Sequence, residues 1–187
     1  MFLPPPMPPA PRRVLRSVIS SDLDALDRLQ RRYPWVPNAA RIRPSEVRLA
    51  LKRAKLAEIE ATWTSFTDYI RATVFGEASV EVDSGSGLTK KAMATPFQTD
   101  HGLYSVLQKR FVPNEFPYDL AEGQHWVLWY SALVQPCSTD AITADISRFL
   151  QQHLQDAVFD FAWYVNPKMT VPEFFHVQVF WTMLPST

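Results

Sequence analysis

The sequence predicts an α+β fold in which helices come first, one of them long, and pack on a small, mostly antiparallel sheet with one crossover helix. Three observations lead there. Apolar residues of the first half recur at helical spacing, and those of the second half gather into short runs of large β-formers. The one clear helical pattern in the second half, 139 to 155, stands between two such runs. With 47% hydrophobic residues in 187, the chain can bury a core without disulfide or metal staples.

Six of the 16 prolines fall within the first 11 residues, where they remove backbone donors and favour extended polyproline structure. Residues 1–20 are therefore expected to be a Pro-rich, disordered tail, and residues 21–187 a single domain. Ser21 is placed to cap a helix, with Asp22, Asp24 and Asp27 near its positive end. Leu23, Leu26, Leu29 and Tyr33 continue that helix until Pro34 stops it. After a turn at 34–38, Pro44 and Glu46 open the longest periodic segment. Val47, Leu51, Ala54, Ile59, Trp63, Phe66, Ile70 and Val74 form one apolar stripe, which predicts a long, bent helix ending at Gly76. Residues 79–83 alternate like a short strand, 84–87 read as a flexible connection, and 96–112 read as a helix around Leu103, Val106 and Leu107. His125 to Tyr130 is a buried strand by composition. Thr139 to Gln155 places Ile142, Ile146, Phe149, Leu150 and His153 on one helical side. Residues 158–164 and 174–183 are two further strands, and the short link beginning Asn166-Pro167-Lys168-Met169 makes them a hairpin.

The charge balance, 19 basic against 19 acidic residues, conceals a division. Residues 1–60 hold 12 Lys and Arg against 6 Asp and Glu, while residues 61–187 hold 7 against 13. The domain thus reads as a basic helical half, 21–76, and an acidic, aromatic sheet half, 77–187. Arg48, Lys52 and Lys55 share one helical face by their i, i+4, i+7 spacing, with Arg41 and Arg43 just before them. Such a stripe suits a nucleic-acid backbone, and it equally suits a solvated helix face. One cysteine, Cys137, makes no intramolecular bridge and points to a cytosolic redox setting. Apolar runs fall far short of the ~20 residues of a membrane span, and prolines interrupt the start before a secretory core forms. A cytoplasmic protein without a membrane partner is expected.

Phosphate-binding glycine loops, paired-cysteine metal motifs, His-Glu-x-x-His and the Gly-x-Ser-x-Gly nucleophile turn do not occur. Cys137 has no basic neighbour to activate it, and His101, His125, His153 and His176 lack ligand spacing, so no metal is expected. Chemistry-bearing residues instead concentrate in the aromatic half. One group is Asn114, Glu115, Tyr118 and Asp119, followed by His125. Another is Asn166 and Lys168, followed by Glu173 and His176. Histidine moves protons near neutral pH, and Glu173 is near enough in sequence to orient His176, although strand alternation alone would put them on opposite faces. Both histidines serve equally well as hydrogen-bonded structural residues.

Asn114-x-x-Pro117-Tyr118, His125-x-x-x-Trp129, a helix, Trp163-Tyr164-x-Asn166, Val171 and Glu173-x-x-His176-Val177 follow one another in an order that resembles the fungal N-acetylglucosamine-induced protein family. Trp63-x-Ser65 with Tyr69 resembles a further stretch of that family. Where its terminal strand carries two histidines, the first is Phe174 here. Part of the family is similar to arginine-containing cyclodipeptide synthases. The resemblance implies an ATP-independent, cofactor-free aminoacyltransferase of natural-product biosynthesis that joins the aminoacyl groups of arginyl-tRNA and a second aminoacyl-tRNA into a diketopiperazine. On that implication His125 or His176 is the base, and Tyr118, Asn114 and Asn166 are oxyanion donors. Glu173, Asp119 or Glu115 accepts the guanidinium, Trp129 and Trp163 line the pocket, and Arg41, Arg43, Arg48, Lys52 and Lys55 hold tRNA. The broader family name implies an alternative, a non-enzymatic regulatory or ligand-binding protein of the amino-sugar response.

Overall fold

A computed structural model describes residues 45–85, 87–93, 98–99, 102–103, 107–118, 120, 123–131, 138–155, 157–165, 169 and 171–184. The expected Pro-rich tail, the helix from Ser21, Arg41, Arg43, Asp119, Cys137 and Asn166 lie outside these residues.

The chain enters helix α1, Glu46–Thr62, through Ser45, whose Oγ accepts from the Arg48 N–H. Of the expected apolar stripe only the later part is covered. Ile59 is buried, whereas Val47 and Leu51 are 71% and 65% exposed. The long helix expected to reach Gly76 is instead two helices. Trp63 turns extended and bridges in parallel to Lys90, and the Thr64 N–H donates to the Lys90 carbonyl at 2.9 Å. Ser65 then caps a new helix, α2, Phe66–Thr73, by accepting from the Asp68 N–H. Asp68 in turn accepts from the Ser65 and Thr64 hydroxyls at 2.7 and 2.8 Å and from the Ala92 N–H at 3.1 Å. These short polar side chains give the backbone local partners that compete with a continuing helix. The Ser65-x-x-Asp68 spacing is the start signal that the apolar stripe masked.

Strands β1, Ser79–Asp83, and β2, Leu88–Ala92, form the hairpin to which the break is tied. Among the described residues of 96–112 the expected helix is not formed. Two short strands, β3 at Gln98–Thr99 and β4 at Gly102–Leu103, pair with each other, and β5, Lys109–Pro113, joins the main sheet. Three apolar residues make a weak helical period, and Phe111 and Val112 gain more as neighbours of Leu128 and Val127 across the β5–β6 ladder.

The main sheet has the order β5-β6-β8-β7, with every neighbouring pair antiparallel. Strand β6, Gln124–Tyr130, leads through helix α3, Thr139–Leu154, to β7, Phe159–Val165, on the far side of β8, His176–Met183. The fold is therefore α+β. Side-chain alternation divides the sheet into two faces. Leu128, Phe161, Trp163, Val177, Val179 and Trp181 meet Ile142, Ile146 and Leu150 of α3 in one core. Val127 and Trp129 meet Ile70, Phe75, Val171 and Phe174 on the other, with Phe66 and Tyr69 of α2 packed against them. At the entry to β6, Gly123 has φ +87°, and a Cβ there would lie 2.8 Å from the Trp181 carbonyl oxygen. Among the described residues no helix is long and apolar enough to cross a membrane.

Candidate functional site

Odd-numbered residues of β6 and even-numbered residues of β8 point to the α1–α2 side, so His125, Trp129, His176 and Gln178 share a face. Over that face lies a cavity of about 310 Å³. Trp129, His176 and Gln178 line its sheet side, Lys52 and Tyr69 its helical side, and Asn114, Glu115 and Tyr118 the segment after β5. A second cavity, about 300 Å³, is lined by Arg48, Gln124 and His125, and it shares Pro113, Asn114 and Tyr118 with the first.

Two backbone N–H groups determine the polarity of the network between these cavities. The Phe116 N–H donates to Asn114 Oδ1 at 2.8 Å, so the Asn114 amide nitrogen faces Gln178 and donates to its Oε1 at 2.9 Å. The Tyr118 N–H donates to His125 Nδ1 at 3.1 Å, so the proton of the neutral ring sits on Nε2 and is given to Gln178 Oε1 at 2.7 Å. Asn114 Nδ2 and His125 Nε2, 3.0 Å apart, are both donors in this arrangement and converge on the same oxygen. Burial lowers the His125 pKa to about 4 against the opposing hydrogen bond from Gln178. Stacking on Tyr118 and close packing on Phe180, with centroids at 4.8 and 4.4 Å, complete its enclosure. Both ring nitrogens of His125 are thus occupied.

His176 is placed differently. Its Nδ1–H donates to the Phe174 carbonyl at 2.9 Å, its ring stacks on Trp129 at 4.3 Å, and it lines the larger cavity. Burial lowers its pKa while the Phe174 carbonyl opposes that shift, which leaves a neutral imidazole with its lone pair on Nε2. Glu173, the expected partner of His176, is exposed at the preceding turn and does not line the cavity. Phe174 oxygen takes the orienting role that sequence proximity assigned to Glu173.

Trp129 and Trp163, both expected at the pocket, lie on opposite faces. Trp163 is buried against α3, where its Nε1–H donates to Thr143 Oγ1 at 3.0 Å. Tyr118 lines both cavities, with its hydroxyl 3.4 Å from that of Tyr164. Burial, followed by the neighbouring Tyr118, raises the Tyr164 pKa. Of the expected basic stripe, Lys52 lines the larger cavity and Arg48 the smaller, while Lys55 pairs with Glu58 at 2.9 Å.

Sequence reasoning missed Gln178 and Tyr69. Gln178 stands two residues from His176 on an alternating strand, a parity that was readable once the strand was accepted. The Tyr69 hydroxyl donates to both oxygens of Glu115, each at 2.9 Å, across 46 positions of chain, a contact no local pattern announces. Burial first, then Glu115, raises the Tyr69 pKa to about 12. No known protein family, curated protein or solved structure matches the chain.

Proposed function

We propose that the protein is a tRNA-dependent, ATP-independent aminoacyltransferase that condenses arginyl-tRNA and a second aminoacyl-tRNA into an arginine-containing diketopiperazine. The observation that carries this reading is the meeting of Lys52, from the basic face of α1, with neutral His176 in one cavity. A cavity of about 310 Å³ is of the size that takes a small ligand rather than a macromolecular surface. The carrier RNA then stays outside, against Arg48, Lys52, Lys55 and, preceding them, Arg41 and Arg43.

Ester aminolysis needs a deprotonated amine, a proton acceptor and donors for the oxyanion of the tetrahedral intermediate. His176 Nε2 accepts the proton as the amine of one aminoacyl group attacks the ester carbonyl of the other. The proton then passes to the departing ribose oxygen, which frees one tRNA. A second attack, of the remaining free amine on the remaining ester, closes the ring and frees the other tRNA. The ester bonds supply the driving force, so no nucleotide is consumed. Donors from residues that line the same cavity are the Tyr118 hydroxyl and the NH2 end of Gln178, whose oxygen is committed to His125 and Asn114. In this reading Asn114 and His125 position Gln178 and Tyr118.

The test is reconstitution. The full chain, total tRNA, aminoacyl-tRNA synthetases, ATP and the amino acids are combined, and products are read by mass spectrometry. An RNase-sensitive diketopiperazine containing arginine is expected. Absence of such a product with every partner amino acid refutes the enzymatic reading and favours a ligand-binding protein of the amino-sugar response.

A further inference from the structure

Among the described residues that line the larger cavity, Glu115 is the sole carboxylate. Its two oxygens are each 2.9 Å from the Tyr69 hydroxyl, so the hydroxyl lies on the bisector of the carboxylate, between the two oxygens. A carboxylate held this way keeps the outer lone pair of each oxygen for a further donor. No Lys or Arg among the described residues approaches it within ion-pair distance. Lys52, the cation that shares the cavity, is drawn aside over the Phe116 ring, with its Nζ 5.5 Å from the centroid. The negative charge is therefore oriented and, among the described residues, makes no ion pair; Lys55, held by Glu58 and with its Nζ 6.0 Å from the Tyr69 ring centroid, acts on it only through space, and Phe116 and Trp129 also line the cavity.

We infer that Glu115, oriented by Tyr69, is the group that selects a cationic ligand head, guanidinium or ammonium, in this cavity. The inference deepens the aminoacyl-transfer reading by naming the carboxylate that would discriminate the arginyl side chain. It was open on sequence among three acids. Since the Tyr69 hydroxyl fills the fork between the oxygens, the head binds side-on, through one N–H to one oxygen, rather than by a two-point guanidinium pair. Tyr69 is a positioning residue. It decides which cation fits, because removal of its hydroxyl opens the fork to a planar guanidinium and offers nothing comparable to an ammonium.

Binding of arginine methyl ester, lysine methyl ester and the neutral isostere citrulline methyl ester to the full chain is measured by calorimetry. The parent is expected to favour both cations over citrulline by about tenfold, the size of one charge-assisted hydrogen bond. Glu115→Gln removes that preference, and Glu115→Asp retains part of it. Tyr69→Phe raises the ratio of arginine to lysine affinity. Glu115 is exposed, so the variants keep the fold, which circular dichroism checks. A parent that binds citrulline ester as well as arginine ester, or that binds no ester, overturns the inference. So does a Glu115→Gln variant with undiminished preference. An unchanged arginine-to-lysine ratio in Tyr69→Phe overturns the positioning role. These outcomes are separable from the fate of the enzymatic reading. Diketopiperazine formation with preference intact in Glu115→Gln keeps that reading and sinks the Glu115 assignment, while loss of preference in Glu115→Gln without any product from the parent does the reverse.

Discussion

Oε1 of Gln178 stands 2.7 Å from Nε2 of His125, and each side chain fixes the polarity of the other. Gln178 is a pure acceptor on that side because Asn114 and His125 both donate to it, and both donate because backbone N–H groups occupy their acceptor atoms. The order of donors and acceptors is thereby set by the main chain of the segment after β5.

Replacing Gln178 by Leu leaves the Asn114 amide and the His125 Nε2–H without their acceptor. Each buried donor so orphaned costs about 1–3 kcal/mol. Urea unfolding should show a lower midpoint with an unchanged slope. Equal stability of parent and variant would mean that the three side chains are not coupled.

Gln178→Glu tests the same contact from the electrostatic side. A carboxylate at that position favours the imidazolium, so the His125 pKa should rise from about 4. Proton NMR of the ring across pH 3 to 8 reads it directly. A pKa that stays put would show that Gln178 does not face the ring.

Stability should fall as the solution is acidified from about pH 6.5 to about pH 4. His125 is buried neutral, with its folded pKa below the unfolded value, so below pH 6.5 the unfolded chain binds a proton that the folded chain refuses. The contribution is complete above the unfolded pKa and is lost as pH falls to the folded one. A shift from 6.5 to about 4 corresponds to roughly 3 kcal/mol, and His176 is shifted the same way. Urea midpoints at pH 7 and 4.5 measure it, and His125→Gln should flatten the dependence. A flat profile in the parent would contradict neutral burial of His125.

His176→Ala should lower product formation by about a hundred- to ten-thousandfold, the usual worth of a general base. His125→Gln should act chiefly on stability, because neither nitrogen of that ring is free. Initial rates at saturating aminoacyl-tRNA, compared with urea midpoints for both variants, separate the roles. Equal rate losses at the two positions would remove the distinction.

Charge reversal of Arg48, Lys52 and Lys55 to Glu should abolish tRNA binding while leaving the fold intact. If all three meet phosphates in the parent, the slope of log affinity against log salt should fall by about 2 to 3 when they are neutralised to Gln instead. Filter binding over a salt series gives both results. An unchanged slope assigns the stripe to solvent.

Much of this arrangement was legible, and the exceptions have physical causes. Strands β6, β7 and β8 declare themselves by runs of β-branched and aromatic residues, and the hairpin pairing of β7 with β8 follows from their proximity. Strand β5 did not, because five residues of mixed polarity acquire strand character only from the ladder they join. The apolar stripe suggested one helix, since Trp63 and Phe66 keep its period through the break. The polar residues that make the break, Thr64, Ser65 and Asp68, interrupt nothing in a hydrophobic pattern. Within the site, the sharing of one face by His125 and Trp129 follows from alternation once β6 is accepted as a strand, but the face of Trp163 depended on the β7–β8 register. Glu115 gained its significance from Tyr69, and tertiary pairs of that kind leave no trace in local sequence.

The interruption at Trp63–Ser65 has a consequence of scale. Lys52 and Tyr69 are 17 residues apart, which in one continuous helix is a rise of about 25 Å, several times the width of the space they enclose. Three non-helical residues let the chain double back, so that a rod becomes a vaulted roof and both residues line the same cavity. The hinge of that vault is pinned to the Lys90 carbonyl. The distance between the cationic and the anionic wall of the cavity is accordingly set from outside it, by a hairpin whose strands do not line it.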